Sequence, residues 1–140
     1  MTGQPVSVHT ALVYLMIVVA GSNGSIGTPE MQTIGRIVKE WPVFENFNVE
    51  LLIPLSRDCG SILNTDDGLD TVLGLLQTAI PEELGETAYS LACEIAAADG
   101  DVDQDERQML DAIRGTLGLE RLAAAAIERA TAARLKRLPS

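Results

Sequence analysis

The stretch AADGDVDQDE, Ala97 to Glu106, places five carboxylates within eight residues: Asp99, Asp101, Asp103, Asp105 and Glu106. Oxygen donors at this density suit a hard divalent cation such as Ca2+ or Mg2+, and with no His or Cys in the stretch nothing favours zinc. The chain carries a weaker copy. A shift of 76 positions sets LMIVVAGSNGSIGTPEMQTIGRI, from Leu15, over LACEIAAADGDVDQDERQMLDAI, from Leu91. Gly24 then meets Gly100, Glu30 meets Glu106, Asn23 meets Asp99 and Ile26 meets Val102. The shared unit is a helix, then Asn or Asp, Gly, any residue, an aliphatic residue, three more and Glu, then a second helix.

That phrase equals the second half of an EF-hand loop. The first and third ligand positions would fall on Ile95 and Ala97, and in the other copy on Val19 and Gly21. None of these side chains carries oxygen, so an ordinary EF-hand site is excluded in both. Two readings stay open. In the structural one, Gly24 and Gly100 supply a positive φ at a helix end, Ile26 and Val102 plug the core, and Thr28 or Asp103 caps the next helix. Asp103 and Glu106 also stand at the spacing of a capping box. This leaves Asp99, Asp101 and Asp105 surplus. Surplus like charge is costly without a cation or free hydration, so the other reading is a weak divalent-cation site or an acidic docking surface.

The elements that must position this stretch read as helices. The first should run from about Ser7 to Ala20 and end in the turn cluster GSNGSIG. Thr28-Pro29-Glu30 opens the second, with Met31, Ile34, Ile37, Val38 and Trp41 at helical spacing. A third spans about Phe47 to Leu63, kinked or interrupted at Pro54. The fourth carries Leu69, Val72, Leu73 and Leu76. The fifth opens at Pro81-Glu82-Glu83 and turns Leu84, Ala88, Leu91, Ala92 and Ile95 inward. The sixth shows Leu110, Ile113 and Leu117 before Gly118 stops it. The seventh runs from about Leu119 to Arg137, with Leu122, Ala126 and Ile127 inward. The expected fold is all-α: one domain over residues 1–140, a compact seven-helix bundle of two pseudo-repeated helix-loop-helix units, about 11–41 and 87–117, plus a middle helical section.

Composition agrees and excludes several functions. The chain is 46% hydrophobic and only 4% aromatic, as suits an aliphatic helical core. Its net charge is −10, and all ten Lys and Arg lie at or beyond Arg36, so it repels a phosphate backbone; nucleic acid and anionic membrane are poor partners. The apolar run ALVYLMIVVAG is too short for a bilayer, which needs about 20 residues, and lacks the positive flank of a signal peptide. A buried helix of a cytoplasmic protein is expected, with no direct membrane insertion. Cys59 and Cys93 read as reduced, buried thiols. No nucleophile elbow, phosphate loop or zinc-protease motif is present, and His9 reads as an exposed or capping residue before the first helix, so no enzyme is expected.

The paired units, the phrase ADGDVDQDE after ETAYSLACEIAA, and the ending LGLERLAAAAIERA together resemble the tellurite resistance TerB-like family, over about Ala11 to Ala133. A related domain lies on the cytoplasmic side of a DnaJ-like membrane co-chaperone. The resemblance implies a seven-helix fold and divalent-metal binding at two neighbouring acidic motifs. Carried over, it points to Asp99, Asp101, Asp103 and Glu106 in the second unit and Asn23 and Glu30 in the first, with Ca2+ or Mg2+ held weakly. The first unit departs from the pattern at Asn23, Ser25 and Gly27, where acids would be expected. The function so implied is a small cytoplasmic helical protein-interaction module of tellurite-resistance or stress-response type. Its partner is a protein, a homodimer stays open, and the alternative is a purely structural or dimerising helical domain with no ligand.

Overall fold

The computed structural model describes residues 6–22, 24–98, 100 and 102–139. Seven α-helices account for most of them: α1 Val8–Ala20, α2 Thr28–Glu40, α3 Leu52–Leu63, α4 Gly68–Ala79, α5 Gly85–Ala96, α6 Gln104–Leu117 and α7 Arg121–Arg134. Short 3-10 turns at Pro42–Phe44, Val49–Leu51 and Glu82–Leu84 link them. No strand occurs among the described residues, and no helix is long and apolar enough to cross a membrane.

α1 begins where Ser7 accepts a hydrogen bond from the Thr10 amide at 3.0 Å, satisfying one donor of the first turn. Every residue from Ala11 to Ala20 is buried. A helix apolar on all sides must be enclosed by others, and α2, α3, α4, α5 and α6 all pack on α1. α5 is its main neighbour within the acidic unit, and α6 and α7 lean on α5. The cross-contacts are reciprocal: α1 meets α6, and α2 meets α5.

Several expectations need correction. Pro54 does not kink α3: it lies in the first turn, directly after the Val49–Leu51 turn, where its missing N–H has no helical acceptor to lose. The cap of α2 is Gly27, not Thr28. A Cβ on Gly27 would sit 2.4 Å from Glu30 Oε1, so glycine stands there because the carboxylate fills that space. His9 is inside α1 and half-buried; its Nε2–H donates to the Val43 carbonyl at 2.8 Å, and its ring stacks on Phe44 with centroids 5.5 Å apart. Ile26 is 39% exposed, so of the two aliphatic turn residues only Val102 packs on the core.

The inward face of α7 also differs from the one expected. Leu122 is 81% exposed and Ala126 is exposed, while Ala124 and Thr131 are buried and Ile127 is partly so. In an alanine-rich segment the apolar spacing carries little phase information, and small residues let α7 lie close on α5. Leu69 of α4 is likewise 38% exposed, while Val72 and Leu76 are buried in the core and Leu73 packs partly against it. Ile113→Ala should therefore cost about 2–5 kcal/mol through its cavity, whereas Leu122→Ala should stay within ~0.5 kcal/mol. Urea denaturation of both variants checks this, and equal losses would reverse the face assigned to α7.

Candidate functional site

The acidic turn follows the last turn of α5. The Ala97 amide donates to the Cys93 carbonyl at 3.0 Å, Ala98 to Ile95 at 3.1 Å and Gly100 to Ala97 at 3.1 Å. After α1, Gly21 donates to Ile17 at 2.9 Å, Ser22 to Val19 at 3.2 Å and Gly24 to Gly21 at 3.0 Å. Each bond in one turn has its counterpart 76 positions away in the other. Gly24 and Gly100 carry φ of 102° and 98°, a region that side chains strongly disfavour, and this accounts for glycine in both copies.

The next helix carries a glutamate at its third position both times, but only the second start forms a capping box. Asp103 Oδ1 accepts from the Glu106 amide at 2.8 Å, and Glu106 Oε1 accepts from the Asp103 amide at 3.1 Å, completing a capping box. Glu30, at the third position of α2, reaches back over Gly27 as Glu106 reaches back to Asp103. Both glutamates are buried, at 5% and 2% exposure. A carboxylate is tolerated there because the free amides and the helix dipole stabilise negative charge.

Asp103 and Glu106 are therefore brought together, and Glu30 occupies the corresponding place in the first turn. Asn23, Asp99 and Asp101 lie outside the described residues. Among the described residues no group of three or more His, Cys, Asp or Glu is arranged to hold a metal. Asp103 stays exposed while it caps α6. Glu106 and Glu30 are both buried, and the capping box accounts for Glu106.

The sequence reading missed two polar links that hold α7. Glu94 of α5, 6% exposed, is met by the guanidinium of Arg134 from α7 and by Arg36 Nη2 from α2 at 3.8 Å. The signal for it was an acid set among apolar residues in LACEIAA. The Tyr89 hydroxyl donates to Glu128 Oε2 at 2.6 Å; burial first, then this bond, pushes the phenol well above its ordinary value. Cys93 lies beside Tyr89, and burial raises its thiol to about 12, as it does that of Cys59. Both cysteines are free and buried.

The sequence model of the family described as "Tellurite resistance protein TerB" matches residues 9–129, a span that includes both turns. The chain belongs to this family. No curated protein and no solved structure shows significant similarity to it. The TerB match runs from α1 into α7 and takes in Tyr89, Glu94 and Glu128, while Arg134 falls just past it.

Two outcomes follow from the links and thiols. Arg134→Ala strips one cation from buried Glu94 and should cost about 1–3 kcal/mol, between the exposed-pair and buried-pair ranges. Glu94→Leu should cost less, because Arg36 and Arg134 are about half exposed, at 51% and 53%, and can hydrate. Chemical denaturation should show the double variant no worse than Glu94→Leu alone. The thiols are held protonated in the fold, raised from 9.0 to about 12. Above pH 9 the unfolded chain has released protons that the folded chain keeps, so this stability is full below about pH 9 and is lost as pH rises toward about 12. Denaturation midpoints measured between about pH 7 and about pH 11 should fall, and less steeply in Cys59→Ala/Cys93→Ala.

Proposed function

We propose that the chain is a small cytoplasmic helical module of tellurite-resistance or stress-response type, which works by binding a protein partner rather than by catalysis. We further propose that its acidic turn, with Asp99, Asp101, Asp103 and Glu106 as oxygen donors beside Asn23 and Glu30 of the first turn, takes up Ca2+ or Mg2+ weakly, and that residues 11–41 and 87–117 are two copies of one unit within a single domain. The observation that supports this reading is the capping box, which ties Asp103 to the start of α6 while Asp103 and Asp105 stay exposed. Fixing Asp103 and Glu106 uses two of five acids, and the other three add like charge that capping does not require. A hard cation, or the basic groups of a partner, would offset it.

The second reading is a structural or dimerising helical domain with no ligand. What favours it is the burial of Glu106, which its capping box explains without a cation. A single titration separates the two. With half the ligands of an EF-hand, the turn should bind Ca2+ or Mg2+ on the order of 0.1–1 mM, and the melting temperature should rise with ion concentration by mass action. Asp101→Asn/Asp103→Asn should abolish that rise. If millimolar Ca2+ and Mg2+ leave the melting temperature and the amide signals of the turn unchanged, the cation reading fails.

A further inference from the structure

The net charge of −10 hides a segregation. From Arg107 onward the chain holds seven of its ten Lys and Arg but only three of its twenty Asp and Glu. α6 and α7 pack on α5 more extensively than on each other, leaving between them a groove of about 850 Å3. Arg107, Asp111 and Arg114 line it from α6, and Arg121, Glu128 and Arg129 from α7. Buried Tyr89, Leu110 and Ala124 contribute an apolar floor.

Both carboxylates of the groove are already engaged. Asp111 Oδ1 accepts from Arg114 at 3.3 Å, and Glu128 accepts from Tyr89. The Arg114 guanidinium is also held by the Leu119 carbonyl at 3.2 Å. The side chains of Arg107, Arg121 and Arg129 are exposed and, among the described residues, have neither ion pair nor hydrogen bond. Helix stability does not explain all three. Arg121 is the first residue of α7, and no acid stands in that turn; a cation there opposes the helix dipole.

We propose that this groove is a docking site for a short acidic segment of a protein partner, with Glu or Asp side chains on Arg107, Arg121 and Arg129 and aliphatic side chains on the floor. The occupant must be short and locally acidic. An extended polyanion such as nucleic acid would meet the rest of a strongly negative surface, including the acidic turn at the start of α6. A segment confined to the groove meets guanidinium forks that match carboxylates, beside the apolar contacts that ligand sites of this size use. The proposal rests on the reading of the chain as a protein-interaction module, and supplies the surface and the partner's chemistry.

The test uses the full chain and a fluorescently labelled synthetic peptide rich in Glu with Leu interspersed. Fluorescence anisotropy should show binding that weakens with salt, and amide shifts should cluster on α5, α6 and α7. Arg121→Glu/Arg129→Glu should lower affinity more than about tenfold. Arg57→Glu, an exposed charge reversal on α3, should leave it within about twofold, and both variants should keep the parent's circular dichroism. No binding, or equal weakening in the two variants, overturns the proposal. So do shifts confined to other faces, although the interaction-module reading then survives. Displacement of the peptide by millimolar inorganic phosphate with the same shifts would assign the groove to small anions instead. Self-association abolished by Arg121→Glu/Arg129→Glu would assign it to a second copy. Because the cation response is read at the acidic turn, its failure is separable from failure here.

Discussion

The enclosure of α1 governs the rest of the architecture. Its residues Ala11 to Ala20 are buried on every face, and a helix of this length is marginal alone in water, so it persists only where neighbours cover it all round. Five helices do so. α7 is not among the principal neighbours of α1; it is attached through α5. Its buried face is small, essentially Ala124 and Thr131 with part of Ile127. That leaves little apolar area to hold a 14-residue helix, and the two side-chain links from α5, Tyr89 to Glu128 and Glu94 to Arg134, gain weight accordingly. Both begin on the helix that packs against α1, so the polar attachment of α7 depends on the apolar one beneath it.

The acidic phrase serves the fold first. A turn that leaves one helix and starts another at once must satisfy free carbonyls and free amides within a few residues. Positive-φ glycine turns the chain after the first helix, and a buried glutamate stands at the third position of the next. This physical problem arises twice, after α1 and after α5, and is met with matching hydrogen bonds. Only the cap differs: glycine in the first turn, where Glu30 crowds the Cβ position, and aspartate in the second, where Asp103 and Glu106 bond reciprocally.

Much of this is legible in the sequence because the signals are local. The helix count, the stops at Gly21 and Gly118, the capping box and the equivalence of Glu30 with Glu106 follow from turn chemistry and spacing that no distant residue can override. What is illegible depends on distance. The burial of His9 against Val43 and Phe44 comes from a chain return over 34 residues. The face of α7 is ambiguous because a run of alanines has no apolar period: Ala123, Ala124, Ala125 and Ala126 offer every phase equally, and of the two large residues that flank them Leu122 faces solvent while Ile127 is partly buried. Pro54 resists a local reading because a helix start defined by a preceding 3-10 turn has no sharp sequence signature. Of the candidate site, Asp103 and Glu106 are placed together by their spacing alone, while Asn23, Asp99 and Asp101 lie outside the described residues.

Charge in this chain separates into what helix ends require and what they do not. Asp105 and Glu106 in the first turn of α6, and Arg114 in its last, lie with the helix dipole. Glu30 in α2 and Arg134 in α7 do the same. Charges so placed lower the free energy of the fold whatever else they do, and a functional role cannot be read from them alone. Arg121 stands at the opposite pole, at the start of a helix without an acid in its first turn. Its cost is small in a hydrated position, yet nothing in the local folding problem selects it. A net charge summed over the whole sequence cannot register this distinction, because it averages the acidic portion up to Glu106 with the basic segment from Arg107 onward. The positions that secondary structure leaves unexplained are therefore better guides to a binding surface than the sign of the total.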